Sequence, residues 1–314
     1  MAVRVAVTMS LAGFLVAGNE PADAGPLEVS QARAPLPARE VERSPVLPIG
    51  WTELSVEGRR KVATDGFDGR GGRMPLGGEL VDSSLTLSVR HGLTSHIEVF
   101  AALPARRLAQ LGAVGAGVGE AWFGGRALLS GGHWPKPALV LEAVYEAPSG
   151  YEPAGEVALG QPAPLGAATP DTRARVLGSH AIGAARATVS IGYLWRLPGR
   201  VAFDVGQGAD GRIDPGDGPF ASGELGLQAG PVYLVGSIGW RAQESFVAAG
   251  VPVAGSDGWY VDTGGDVRVG LSRGLAVHLG VDGLLRGEDV QLAPLEDVHP
   301  TSGLGWSAGI TGRL

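Results

Sequence analysis

Leu304-Gly305-Trp306-Ser307-Ala308-Gly309-Ile310-Thr311-Gly312-Arg313-Leu314 puts Leu304, Trp306, Ala308, Ile310 and Leu314 on one parity and Ser307, Thr311 and Arg313 on the other. A period of two is the mark of a strand with one apolar face. The same alternation runs upstream. Leu85, Leu87 and Val89 oppose Ser84, Thr86, Ser88 and Arg90; Ala187, Val189, Ile191, Tyr193 and Trp195 oppose Thr188, Ser190 and Arg196. Leu275, Val277, Leu279, Val281 and Leu285 oppose His278, Asp282 and Arg286.

Counting outward from the C-terminus predicts twelve strands, at about 50–61, 80–90, 95–103, 119–129, 138–147, 174–182, 186–196, 221–229, 232–242, 259–271, 275–286 and 303–314. Short connections fall at His91–Thr94, Ser130–Pro137, Gly183–Ala185, Gly230–Pro231 and Ser272–Gly274, and the other six are long. Strict alternation of short and long connections is the rhythm of an antiparallel up-and-down transmembrane β-barrel, all-β, of about 12 strands, with short turns in the periplasm and long loops outside. A soluble sandwich also has alternating strands, but it gives no reason for the loop rhythm.

Aromatic placement points the same way. Phe123, Tyr145, Trp195, Trp240, Trp259 and Trp306 all have lipid-face parity and lie near strand ends that meet a long loop, where an interfacial girdle belongs. No comparable set marks the other rim.

Ahead of the barrel, expected over 50–314, Arg4 precedes an apolar run from Val5 to Gly18, and Ala22-Asp23-Ala24 offers a cleavage site. Residues 1–24 therefore read as a signal peptide. A retained membrane anchor is the alternative, although 14 residues are short for a bilayer; no apolar run after residue 18 is long enough for a spanning helix, so any membrane crossing there must be made by strands. Residues 25–49 carry Pro26, Pro35, Pro37, Pro45 and Pro48 among polar residues, which reads as a flexible periplasmic lead-in, with a plug folded up into the barrel as the alternative.

Composition excludes several functions. The chain has 314 residues, no Cys and a net charge of −7, so thiol metal sites and disulfide scaffolds are out and nothing favours nucleic acid. Gly270-Leu271-Ser272-Arg273-Gly274 matches G-x-S-x-G but leads into a strand, not a helix, and so reads as a hairpin. The six His show no helical ligand spacing; a Ser/His hydrolase site formed between strands is the weakest alternative. Asp210, Asp214 and Asp217 offer oxygens for calcium, although their spacing misses the EF-hand pattern and a solvated acidic loop is the plainer reading. Catalytic residues, a resident metal and a cofactor are not expected.

Inward parity belongs to Glu98, Glu120, Arg126, Glu142, Arg196, Glu224, Arg241, Asp266, Arg268, His278, Asp282, Arg286 and Arg313. Such charges either pair across strands and fill a narrow interior or line a wet path. Glu98, Arg126, Glu142, Glu224, Arg268, His278 and Asp282 are the expected lumen-lining set.

Gly92-Leu93-Thr94 with Ile97-Glu98-Val99-Phe100 and Leu103-Pro104 resembles the G-L-T-x-x-x-E-V-x-x-x-L-P hairpin of the outer-membrane proteins named for the MetA pathway of phenol degradation. Gly117 to Arg126 is similar to that family's G-x-G-D/E-x-x-x-G-x-R/K strand, and Ala147-Pro148-Ser149-Gly150 to its x-P-T-G exit, with Ser149 for Thr. Leu314 replaces the terminal aromatic usual in bacterial barrels. The resemblance implies an outer-membrane, channel-like transporter of a Gram-negative envelope for passive uptake of small hydrophobic or aromatic solutes. The partners then implied are outer-membrane lipid, the barrel-insertion machinery and a small-molecule solute. A closed barrel that binds a partner through its long loops is the rival reading.

Overall fold

The computed structural model describes residues 36–67, 72–110, 113–131, 136–148, 169–200, 212–245, 247–248, 250–252, 257–287 and 303–314. In chain order its strands are β1 (Thr52–Phe67), β2 (Arg73–Gly92), β3 (Ile97–Gln110), β4 (Ala113–Val118), β5 (Ala121–Ser130), β6 (Ala138–Ala147), β7 (Asp171–Ile182) and β8 (Ala185–Arg196). They continue as β9 (Gly199–Arg200), β10 (Arg212–Asp214), β11 (Gly218–Ala229), β12 (Val232–Gln243), β13 (Val247–Ala248), β14 (Val251–Pro252), β15 (Gly258–Gly270), β16 (Leu275–Gly287) and β17 (Leu304–Arg313).

Twelve of them, β1, β2, β3, β5, β6, β7, β8, β11, β12, β15, β16 and β17, pair antiparallel in that order and close into a barrel through β17 on β1. The expected strands are all present. Closure is tight at the rim: Thr52 N–H donates to the Leu314 carbonyl at 3.0 Å and Leu314 N–H to the Thr52 carbonyl at 2.8 Å. The first and last strands therefore leave no free edge.

Two-residue turns at Gly183-Ala184 and Gly230-Pro231 need a left-handed first residue, and glycine supplies it with φ 61° and 59°. These turns, the connections after β2 and β15, and both ends of the barrel share one rim. The strand ends that lead into the long connections share the other rim, and among the described residues of those connections β9, β10, β13 and β14 pair into a small four-stranded sheet.

β1, β2 and β3 run well past the expected ends, forming a long hairpin in which Phe67 pairs with Arg73 and an extension in which β4 continues on β3 beyond β5. Gly71, Gly72, Gly77 and Gly78 break the side-chain alternation there. Backbone pairing needs no such pattern, which is why the extension was invisible to parity.

The outer wall is apolar and bare: Leu85, Leu87, Val189, Ile191, Leu279 and Ile310 are all exposed. In water so much exposed aliphatic surface would drive association; around a closed barrel it is the face for hydrocarbon. Phe123, Trp195, Trp240 and Trp306 are exposed on this face, and Phe123 stacks tilted on Tyr145 at 5.1 Å.

Ile191 is 67% exposed in the middle of β8. Ile191→Arg is expected to destabilise the barrel by about 2–4 kcal/mol, and Leu285→Arg near the long-loop rim by about 1 kcal/mol, in urea unfolding from phospholipid vesicles.

Candidate functional site

The inside of the barrel holds two unlike regions. One is built on residues 36–49 of the segment 25–49 that composition assigns to a flexible lead-in; residues 25–35 lie outside the described residues. Residues 36–50 are instead folded into the short-turn end of the barrel, the arrangement weighed as a plug. Pro37 and Pro45 bracket a single 3-10 turn, Glu40–Glu42, in which Glu42 N–H reaches the Arg39 carbonyl and Arg43 N–H the Glu40 carbonyl, both at 3.1 Å.

Its apolar side chains explain why it stays. Val41 is fully buried against Ala181 and Tyr233, and Val46 packs on Leu128, Ala138, Val140 and Leu177. Proline richness suggested no core of its own, and it has none; it borrows the wall's. Polar contacts then reach strands all round the ring. Leu47 N–H donates to Glu98 Oε2 at 2.7 Å, Val41 N–H to Gln228 Oε1 at 3.4 Å, and Arg39 to the Gly183 carbonyl at 3.1 Å. Arg186 donates to the carbonyls of Val41 and Arg43. At Gly92 a Cβ would run into the carbonyl oxygens of Leu47 and Pro48, so the inset backbone lies directly on the wall there. Between inset and wall remains a cavity of about 350 Å³ that Arg126, Glu224 and Arg268 line together with Glu53, Arg90, Arg175 and Arg313.

A chain of alternating charges supports this end. Glu40 of the inset meets Arg313 at 3.1 Å, Arg313 meets Glu53 at 2.6 Å, and Arg90 bridges Glu53 and Glu98 at 2.9 Å each. Arg126 then joins Glu98 at 3.4 Å to Glu142 at 2.6 Å, and Arg175 ends the row on Glu142 at 2.7 Å. Register places these pairs: Glu53 lies opposite both Arg313 and Arg90, and Arg126 opposite both Glu98 and Glu142. Glu98 and Glu142 are 0% and 2% exposed, so their carboxylates are covered by guanidinium groups and present no surface to a solute.

The other region is wet. On β15, β16 and β1 the inward charges are well exposed, with Arg268 at 48%, Glu57 at 42%, and Arg59 and Asp282 at 41% and 37%. Arg59 donates to Asp282 from Nη2 at 2.6 Å and from Nε at 3.3 Å, spanning β17 across Gly305 and Ser307. His278 Nε2 lies 3.1 Å from Glu57 Oε2, and Arg268 pairs with Asp266 at 2.7 Å. Small inward residues, Gly264, Gly280, Gly305, Ser307 and Gly309, keep this side open. The opposite wall is filled by Phe100, which meets Trp122 edge-on at 5.8 Å, and by Leu108, Leu128 and Val144.

Of the expected lumen set, Glu98, Arg126 and Glu142 thus belong to the packed row, Glu224 to the cavity, Arg268 to the cavity and the wet side together, and His278 and Asp282 to the wet side. Arg286 departs from its inward parity. A register shift between Val261 and Asp262 turns it outward, where its guanidinium lies over the Trp259 ring at 5.8 Å. Glu53, Arg90, Arg175 and the inset's Glu40 and Arg43 stand outside the expected lumen set, Arg90 entering only as a member of its strand's polar face. Glu53 and Arg90 were within reach, since both have inward parity on strands that form one hairpin.

The other candidates resolve as local structure. Ser272 sits in the β15–β16 hairpin, its N–H donating to the Leu275 carbonyl at 3.1 Å. A Ser–His contact occurs at Ser95 and His96, 2.7 Å apart, but these are neighbours in an exposed turn, joined by no carboxylate among the described residues. Asp210 lies outside the described residues; Asp217 accepts the Arg196 N–H at 2.7 Å, and burial pushes its carboxyl up from the usual aspartate value. Among the described residues no cluster of acidic or His side chains suits a metal ion. The proposed signal peptide also lies outside the described residues.

Solved structures place this architecture. The chain is similar to the COG4313 outer membrane channel from Pseudomonas putida F1, with a TM-score of 0.69 and 12% identity over 86% of this chain and 97% of that one. It is also similar to the NanC porin, at a TM-score of 0.51 and 9% identity over 83% and 100% of the two chains. At these identities the likeness is one of fold, that of outer-membrane β-barrels. No family model and no curated protein matches the chain.

Removing the carboxylate shared by Arg90, Arg126 and the Leu47 N–H leaves two guanidinium groups short of a counter-charge. Glu98→Gln is expected to lower stability by about 3 kcal/mol in denaturant unfolding of the folded barrel. Leu314→Ala, which keeps the row intact, is expected to change it by less than about 1 kcal/mol.

Proposed function

We propose that the protein is an outer-membrane channel through which small solutes pass passively, the short turns facing the periplasm and the long loops the exterior. The observation that carries the reading is the strip of exposed charges along β15, β16 and β1, inside a ring that large side chains largely fill on its other side. A closed structural barrel has no need to leave one inner wall wet. The likeness in fold to a channel and a porin supports it.

The strip also bears on the solute. Its serines, glycines and paired charges suit a group that forms hydrogen bonds, while a purely apolar molecule would gain nothing there. The family resemblance points to aromatic and other small hydrophobic compounds. We therefore favour small aromatics that carry a hydroxyl or carboxylate, with that substituent turned to the strip.

Packed across the periplasmic end, the inset narrows the path, and this favours one second reading: a barrel that stays shut and works through its long loops. Planar-bilayer recording and liposome swelling separate the two. Wild-type protein is expected to pass ions and benzoate, with conductance rising severalfold when residues 36–49 are deleted and rising also in Gly92→Val, whose side chain displaces the inset. Conduction only after deletion supports the shut barrel. If neither form passes ions or benzoate, the channel reading fails.

A further inference from the structure

On β1 the outward residues run Leu54, Val56, Gly58 and then Arg60; on β2 they run Val89, Leu87, Leu85 and then Ser83; on β3 they run Ile97, Val99, Ala101, Leu103, Ala105 and then Arg107. On all three strands one polar register row interrupts the outward apolar run, because Arg60 pairs with Ser83 and Ser83 with Arg107, and Val62, Val81 and Ala109 follow beyond it. The row continues onto Trp306 of β17, whose ring lies 5.9 Å from the Arg60 guanidinium. Arg60 lies eight residues along β1 from Thr52, about 26 Å along the strand and, at a tilt of about 40°, about 20 Å in height, in the upper part of an apolar band about 25 Å tall. Trp306, one of the outward aromatics near the long-loop ends, sets the row close to the interface of the outer leaflet.

Arginine is costly on such a face unless something anionic meets it. Arg60 and Arg107 are both exposed, and no carboxylate bonds to either among the described residues; Asp82, beside Ser83, has inward parity and pairs with Arg106, and Glu79, the next acid of outward parity on β2, lies four residues past the row. Two strand spacings separate them, about 10 Å between α-carbons. Side chains of that length converge readily on one phosphate, with the Ser83 hydroxyl between them as a further donor.

We infer that Arg60, Ser83 and Arg107 form a binding site on the membrane face for a phosphate of an outer-leaflet glycolipid, with Trp306 against its sugar or acyl shoulder. The site rests on the barrel's place in the membrane and not on conduction, so it stands or falls separately from the channel. Occupied, it would fix the long β1–β2–β3 extension relative to the leaflet.

The test uses the full-length folded protein in phosphatidylcholine nanodiscs doped with lipid A, with bound lipid counted by native mass spectrometry. Lipid A is expected to be retained over phosphatidylcholine, and Arg60→Gln/Arg107→Gln to bind it about tenfold more weakly, as expected from removing charged donors to a phosphate. Arg60→Lys/Arg107→Lys should keep most of the affinity. Enzymatic dephosphorylation of the lipid should abolish the preference in wild-type protein, a comparison that needs no variant. Equal retention of lipid A by wild type and the Gln variant, or indifference to the lipid's phosphates, overturns the proposal. Displacement of lipid A by millimolar orthophosphate would also overturn it, showing a site for free phosphate instead.

Discussion

In hydrocarbon no water is available to satisfy a backbone N–H or C=O, so a strand can cross only if a neighbour pairs with it on both sides. Everything else in this protein follows from meeting that condition with twelve strands. The last strand must find the first, and Thr52 and Leu314 exchange hydrogen bonds to complete the ring. Once the ring is closed, parity sorts the side chains: one set meets lipid, the other is confined to a common interior whatever its chemistry.

A ring of this size encloses more room than its inward side chains fill. The chain resolves the excess unevenly. Large residues fill the β3–β7 wall and a continuous row of ion pairs runs from β17 through β1 and β2 to β7, while glycine and serine line the rest of β15, β16 and β17 and leave charges exposed. Burying Glu98 and Glu142 without partners would be prohibitive; each is instead shared by two arginines. The inset uses the same row as an anchor, through Glu40 on Arg313 and the Leu47 amide on Glu98. The elements that narrow the barrel and those that stiffen its wall are therefore one structure, and the exposed strip on β15, β16 and β1 lies beside it.

Much of this was legible from residue parity. The strands, their loops, the outward aromatics and the inward face of most charges all follow from a period of two. Parity fails where the backbone slips by one residue, as at Val261 and Asp262, and so Arg286 was assigned to the wrong side. It is silent where glycines replace alternating side chains, as in the upper β1–β2 hairpin. Nor does it rank inward charges: Glu98 and Asp282 have the same pattern, yet one is covered and the other wet. Residues 36–49 show the largest gap. Their composition says correctly that they build no core, but says nothing about a core supplied from elsewhere, and Val41, Val46 and Leu47 are too few to signal burial by themselves.

Sequence alone determined that the chain crosses a membrane as strands and, wherever no bulge shifts the register, which side chains face lipid, because both depend only on local alternation and on the lengths of connections. Tertiary structure decided what occupies the lumen. That depends on which strands lie opposite one another, on the register between them and on a distant segment folding back inside, and all three are properties of the closed ring that no single strand records.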